Sequence, residues 1–530
     1  LKKIFLNSYM LKRICKSIHL LFFLAFFMNV SGSELSNNII VTSSGSVEAY
    51  EEKGIYIWKD IPYAKPPINE LRWKAPKNYF STANILPKEN NHCVQRSSYL
   101  GGIADENLFT GTEDCLYLDI FAPKKSSNKD LAVMFWIHGG ANTSGEKDIY
   151  NFSKMVRQKN VIVVRINYRL GPFGWFYHPA IQDLQNGIDK TPNFGTLDII
   201  KALEWVQENI SKFGGDKNNV TIFGESAGGH NVYSLLVSKQ AEGLFHKAIS
   251  MSGYTTSIPQ SSLFKQTKET STSNHTSWVI VNKILNKKNK NKNQSKYSQE
   301  ELNKILMQLS AREFFENYLD RKSYEEIPLL AADGIVIPKI GLEDALGNRE
   351  FLNDVPIIAG SNKDEVKLWL ATADYFVDIN YSPIGNLLGI PKIVLSDEEA
   401  FEAFNYYRSK AWKIRGVDIP LKNISSAGKN SLYSYRFDWD DHRRLIIADF
   451  KKLIGAAHAT EIPLLAGNSD LIGGPPLSNF IYPKSLSKFY TSKNMIKLWS
   501  NFAKNGYPGS SSNGVVWEKF NIKDDNANFL

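Results

Sequence analysis

The stretch Phe213-Gly-Gly-Asp-Lys-Asn-Asn-Val220-Thr-Ile-Phe-Gly224-Glu-Ser226-Ala-Gly228 constrains this chain more than any other. It reads as a turn, a short apolar strand over 220–223, and a serine between two glycines. After it, Gly228-Gly-His-Asn-Val-Tyr-Ser-Leu-Leu-Val237 places Val232, Leu235 and Leu236 at helical spacing. A serine in Gly-x-Ser-x-Gly at a strand-to-helix turn sits on tight, strained backbone. The flanking glycines let strand and helix pass without a Cβ between them. Its Oγ then stands exposed above a sheet, and the helix N-terminus behind it favours developing negative charge. The pentapeptide alone recurs by chance. The strand before it and the helix after it give it the setting of a nucleophile.

The rest of the chain has the rhythm such a turn requires. Leu131-Ala-Val-Met-Phe-Trp-Ile137 and Val161-Ile-Val-Val-Arg-Ile-Asn167 are the near-continuous apolar runs of strands buried on both faces. Residues 197–210 carry Ile200, Leu203, Val206 and Ile210 on one helical face. Further strands are expected at 246–251, 355–360 and 432–437. Strands alternating with helices predict an α/β fold with a mostly parallel central sheet and helices on both faces. A site then belongs on the turns that follow the strands. Before this region, Asn38–Thr42 and Gly54–Lys59 read as a small antiparallel N-terminal sheet, and Glu113–Pro123 ends in a strand of period two. Residues 259–345 break the rhythm. They read as a helical insertion over the sheet, with a helix over 300–309 and a solvated low-complexity loop over 285–295. Length alone would allow about three domains. The absence of an internal repeat, and the reading of 259–345 as an insertion, lead instead to one domain over 34–530.

The formal charge of +9 misleads, because Lys2, Lys3, Lys12, Arg13 and Lys16 all fall in the first 33 residues, where there is no acid. No basic stripe interleaved with aromatics remains, which argues against nucleic acid as a partner. Residues 1–33 read as a cleaved signal peptide: a positive segment, the apolar run Ile18–Val30, then Ser31-Gly-Ser33. No second apolar stretch long enough to span a bilayer follows. Secretion, or export to a periplasm, is therefore expected. Cys15 goes with the signal. Cys93 and Cys115 remain, an even number in an exported chain, and predict one disulfide closing a loop of about 20 residues.

A nucleophilic serine needs a base, a group that orients the base, and donors for the oxyanion. His138-Gly-Gly-Ala141, directly after the 131–137 strand, offers backbone N–H groups for an oxyanion. Either Asp364 or Glu365, after the 355–360 strand, can orient a histidine. Among the histidines, His458 in Gly455-Ala-Ala-His-Ala-Thr-Glu461 is flanked by small residues that allow close approach. His138 reads as a prop for the glycine loop, and the spacing of His230 points it away from the serine. The chain order is then serine, acid, histidine.

Beyond single residues, the chain resembles the type-B carboxylesterase/lipase family from about residue 38 onward. The motifs that carry the resemblance are 213–228, Glu113-Asp-Cys-Leu-Tyr-Leu-Asp-Ile-Phe-Ala-Pro123, Asn167–Gly174 and Phe245–Gly253. The bacterial branch is the most similar. The resemblance implies an α/β-hydrolase fold, a triad of Ser226, Glu365 and His458, and oxyanion donors at Gly140, Ala141 and Ala227. It implies a Cys93–Cys115 disulfide, Ser252 near the triad acid, a small-molecule carboxylic ester as substrate, and no cofactor or metal. The chain departs from the pattern in three places. Ala141 stands where many relatives have a third glycine. The family's second disulfide has no cysteines here. The stretch 104–110 lacks the tryptophan that cholinesterase relatives use to stack choline.

Overall fold

Seven consecutive apolar residues cannot leave either face of a strand in water. In the computed structural model all seven, Leu131–Ile137, are buried at the centre of a ten-stranded sheet. The structure describes residues 38–98, 108–124, 130–265, 276–288, 293–319, 330–381, 392–428, 431–469, 477–521 and 528–529. The expected signal segment lies outside them, as does most of 104–110. In chain order the strands are β1 (Tyr50–Glu52), β2 (Ile55–Pro62), β3 (Tyr117–Pro123), β4 (Leu131–Ile137), β5 (Ile162–Ile166), β6 (Gly215–Glu225), β7 (Lys247–Met251), β8 (Ile357–Asn362), β9 (Leu432–Phe437) and β10 (Asn528–Phe529). Across the sheet they run β10-β9-β8-β7-β6-β4-β5-β3-β2-β1. From β5 to β10 every neighbouring pair is parallel, and β1, β2 and β3 add an antiparallel edge.

The helices that concern the site are α1 (Phe194–Asn209), α2 (Ala227–Val237), α3 (Ser277–Lys288), α4 (Gln299–Met307), α5 (Lys367–Leu370), α6 (Glu398–Lys413), α7 (Ile419–Ser426) and α8 (Leu486–Asn505). Alternation along β4 divides its side chains between two cores. Leu131, Val133, Phe135 and Ile137 join Leu203 and Val206 of α1 and Val232, Leu235 and Leu236 of α2. Ala132, Met134 and Trp136 face the other way and join Ile496, Trp499 and Phe502 of α8. The expected α/β-hydrolase architecture, with helices on both faces of a mostly parallel sheet, is therefore the one adopted.

Three local expectations change. The 54–59 run belongs to β2 of the large sheet, because Ile55, Ile57, Trp58 and Ile61 are covered on both faces. The separate small sheet consists of Ile39–Thr42, Gly45–Glu48 and Asn84–Ile85. Strand β6 starts at Gly215, not at 220. Its pairing with β4 jumps from Gly215–Leu131 to Val220–Val133, so 216–219 form a bulge inside the strand. The stretch read as a loop from 285 begins inside α3, which buries Leu285 with Ile280, Val281 and Ile284 as a helical stripe. Residues 289–292 of that stretch lie outside the described part. The expected helix at 300–309 is α4, started by a capping box of Ser298 and Glu301.

Cys93 and Cys115 form the expected disulfide, with Cα atoms 5.0 Å apart. Replacing both by alanine is expected to cost about 3 kcal/mol through the denatured chain. Urea denaturation followed by tryptophan fluorescence checks this, and an unchanged midpoint would count against it.

Candidate active site

Strand β6 ends at Glu225 and α2 begins at Ala227, so Ser226 alone makes the turn. Its backbone has φ 59° and ψ −120°, a conformation that costs a non-glycine residue about 1–3 kcal/mol. Two hydrogen bonds hold it there. Ser226 N–H donates to Met251 O of β7 at 2.9 Å, and Ser226 O accepts from His230 N–H at 2.9 Å. The glycines on either side are required by contact. A Cβ on Gly228 would lie 2.0 Å from Ile137 O, and one on Gly224 would lie 2.6 Å from the same oxygen. Strand β4 therefore delivers its C-terminal loop directly beside the serine.

That loop is 138–145. Gly140, Ala141 and Asn142 all have positive φ, at 98°, 55° and 56°. The coil is closed by Thr143 N–H and Ser144 N–H, which both donate to Gly140 O. A Cβ on Gly139 would meet Ser226 Cβ at 3.1 Å. The Tyr168 hydroxyl donates to His138 O at 2.7 Å and packs its ring on His138, whose Nδ1 bonds Gly139 O. Burial lowers the His138 pKa to about 4, so it stays a neutral prop. None of the hydrogen bonds among the described residues uses the N–H of Gly140, Ala141 or Ala227.

His458 lies in the loop after β9 and the short helix Phe450–Ile454. Its Nδ1 donates to Glu365 Oε2 at 2.6 Å, and Glu365 Oε1 accepts from Asn362 N–H at 2.7 Å. A second tie joins His458 N–H to Glu365 O at 3.1 Å. Of the two carboxylates open at the sequence level, the histidine meets Glu365. Asp364 turns away, accepting from Asn405 Nδ2 at 2.6 Å and Ala456 N–H at 3.1 Å. His458 Nε2 has no hydrogen bond among the described residues. Ser252 is buried with φ 48°, and its hydroxyl bonds neither Glu365 nor anything else described. His230 Nε2–H donates to Thr256 O at 2.9 Å, away from the serine, as its spacing predicted.

A family model described as the carboxylesterase family matches residues 36–383 and 397–530. The chain belongs to the carboxylesterase family. It is 33% identical over 505 residues to para-nitrobenzyl esterase of Bacillus subtilis, covering 92% of this chain and 93% of that protein. It is 35% identical to carboxylesterase 1D of Rattus norvegicus over 89% of this chain and 84% of that one. Among solved structures, a PNB esterase superposes with a TM-score of 0.70 at 28% identity, over 93% of this chain and 96% of that one. A Geobacillus stearothermophilus carboxylesterase gives 0.66 at 25% identity over the same shares. The protein is a carboxylic-ester hydrolase, with the fold of these esterases.

The esterase also holds residues near His458 that the sequence reading passed over. Glu225, inside the serine motif itself, brings Oε1 to 3.2 Å from His458 Nε2, without the alignment of a hydrogen bond. Glu461, three residues beyond the histidine, accepts from Asn362 Nδ2 at 2.5 Å. Burial raises Glu225 well above the usual carboxylate range and lifts Glu461 to about 7. For His458, burial pulls the pKa down, but the charges of Glu225 and Glu365 outweigh it and push it up to about 9. Trp369 and Trp412 lie with ring centroids 5.0 and 4.9 Å from the imidazole. Glu225 and Glu461 sat within motifs already singled out. The tryptophans come from distant segments, and no local pattern marks them.

These charges predict a pH effect. Glu225→Gln removes the carboxylate whose charge, where it is ionised, favours the imidazolium, so the His458 pKa falls. An imidazole can act as a base only when neutral, and His458 then becomes neutral at lower pH. The acid limb of kcat/KM is expected to move down by about 1–2 pH units. A pH profile of the variant checks this, and an unmoved limb would contradict it.

Ser226 and Ala141 open onto a cleft of about 770 Å³, walled by Tyr254, Trp369 and Trp412 among others. This size accommodates a drug-sized organic ester.

Proposed function

We propose that Ser226 is the nucleophile of this esterase, with His458 as its general base and acid and Glu365 as the group that orients His458. The observation that carries the reading is the 2.6 Å bond from His458 Nδ1 to Glu365. It places the imidazole proton on Nδ1 and leaves Nε2 as the acceptor for a serine proton. Nε2 takes the Oγ proton as Ser226 attacks the ester carbonyl. The N–H groups of Gly140, Ala141 and Ala227 receive the oxyanion. The same imidazole then protonates the departing alcohol, and water hydrolyses the acyl-enzyme by the reverse sequence.

Aryl and benzyl esters are the substrates we expect, by analogy with the para-nitrobenzyl esterase relative and from the aromatic walls of the cleft. A panel of 4-nitrophenyl esters from acetate to palmitate tests the reading. Turnover of the shorter members is expected, and a folded protein that hydrolyses none of them would contradict it.

The same reading places the mature chain, residues 34–530, outside the cytoplasm after removal of residues 1–33. Two oxidised cysteines support this, because such pairs persist in oxidising compartments. Among the described residues no helix is long and apolar enough to cross a membrane. N-terminal sequencing of the exported protein checks the cleavage site.

A further inference from the structure

We infer that the cleft selects esters carrying an anionic group, a carboxylate in the simplest case, which Arg408 and Arg415 receive. The inference rests on Ser226 being the nucleophile at the floor of that cleft. Phe404, Arg408, Ala411, Trp412 and Arg415 all line the cavity that contains Ser226. Their spacing of three and four residues puts them on one face of α6 and its extension. The two arginines are seven residues apart, so they stand about 10 Å from each other along the axis.

Neither guanidinium has a carboxylate partner among the described residues. The other acids nearby are engaged: Asp418 with Lys413 at 2.8 Å, Glu402 with Lys367 at 2.8 Å, and Asp364 with Asn405. The buried arginines of the protein are different, since Arg72, Arg165 and Arg169 are paired to Glu113, Asp119 and Asp198. Among the described residues Glu343 is the one acid lining the cleft, and it accepts from the Thr255 hydroxyl at 2.8 Å. The wall therefore presents two positive charges against one negative charge. The Arg408 guanidinium carbon lies 5.4 Å from the centre of the Phe404 ring. Stacking of this kind covers the flat face and leaves the N–H edge for a planar anion.

The backbone that carries Arg415 is held against the nucleophile's own scaffold. Residues Ile414–Asp418 form a π-helical turn between α6 and α7, a feature that re-aims side chains and recurs at functional sites. Its Gly416 packs so tightly that a Cβ would meet Gly253 O at 2.1 Å, and Gly416 O accepts from the Tyr233 hydroxyl at 2.7 Å. One turn earlier, Trp412 Nε1–H donates to Ser252 O at 3.1 Å. Tyr233 belongs to the helix that starts at the serine, and Ser252 and Gly253 follow β7. The arginine wall is thus registered to the serine by the packing of Gly416 on Gly253 and by two side-chain hydrogen bonds to main-chain oxygens. Trp369 and Trp412 between them suit an apolar or aromatic body linking ester to anion, and the same charges disfavour cationic esters.

The test uses rigid matched pairs on both sides of the ester bond. Monomethyl terephthalate against methyl benzoate probes the acyl side, and 4-(acetoxymethyl)benzoate against benzyl acetate probes the alcohol side. In at least one pair, kcat/KM for the charged ester is expected to exceed that of its neutral partner by about tenfold at low ionic strength. The preference should shrink as salt screens the two exposed guanidiniums. In R408Q/R415Q the ratio of charged to neutral kcat/KM should fall by about tenfold or more. Neutral esters turned over with no preference for charge in either pair, or a ratio unchanged in the double variant, would overturn the inference while leaving the Ser226 assignment in place. Failure to hydrolyse any of the four esters would overturn the assignment, and this inference with it.

Discussion

Ser226→Ala is expected to lower kcat/KM for a neutral 4-nitrophenyl ester by about 10⁵-fold. The alanine leaves the turn, the oxyanion N–H groups and the cleft in place, so residual activity reflects binding and electrostatics alone. Because nucleophile and base act as one unit, Ser226→Ala combined with His458→Ala should lose little more than either alone. The main-chain bonds at residue 226, from its N–H to Met251 O and from His230 to its carbonyl, survive the change. Circular dichroism and thermal melting should therefore match the parent. A Ser226→Ala protein that keeps more than a hundredth of parental activity would sink the assignment.

Glu365→Gln carries the second large effect, a fall in kcat of about 10³–10⁴-fold. Glutamine fits the same space but can offer its amide N–H to His458 Nδ1. The imidazole then carries its proton on Nε2, where it can no longer accept one from Ser226. Asp364→Asn provides the contrast. Its carboxylate serves Asn405 and the 455–456 turn, so kcat should change by less than about tenfold. Equal losses in the two variants would show that the orienting acid had been misassigned.

The contrast between 364 and 365 shows where local pattern stops. Both acids follow the same strand, and composition offers no way to choose between them. The choice is made by packing 93 residues away, where the 455–460 loop presents Nδ1 to one carboxylate and a backbone N–H to the other. Ser226 was legible for the opposite reason. Its strain, its glycines and its helix are all local, and the close approach of Ile137 O to Gly228 explains why no other residue fits there. The strands were legible where apolar runs were continuous, as at 131–137. They were misjudged where a strand bulges, at 216–219, or where a strand near the sheet's antiparallel edge is covered on both faces, at 55–62. The tryptophan and arginine walls escaped notice because they lie on α5, α6 and the π-helical turn after α6, whose register against the serine is set by Gly416 on Gly253. Glu225 was in plain view, but its nearness to His458 is a property of the folded loop.

The most direct measurement is covalent. A fluorophosphonate probe traps the activated serine, and mass spectrometry of the digested protein locates the adduct. One equivalent of label on the peptide containing Ser226 is predicted, absent from Ser226→Ala and strongly slowed in Glu365→Gln. Folded parental protein that takes no label, or takes it on another residue, would contradict the account.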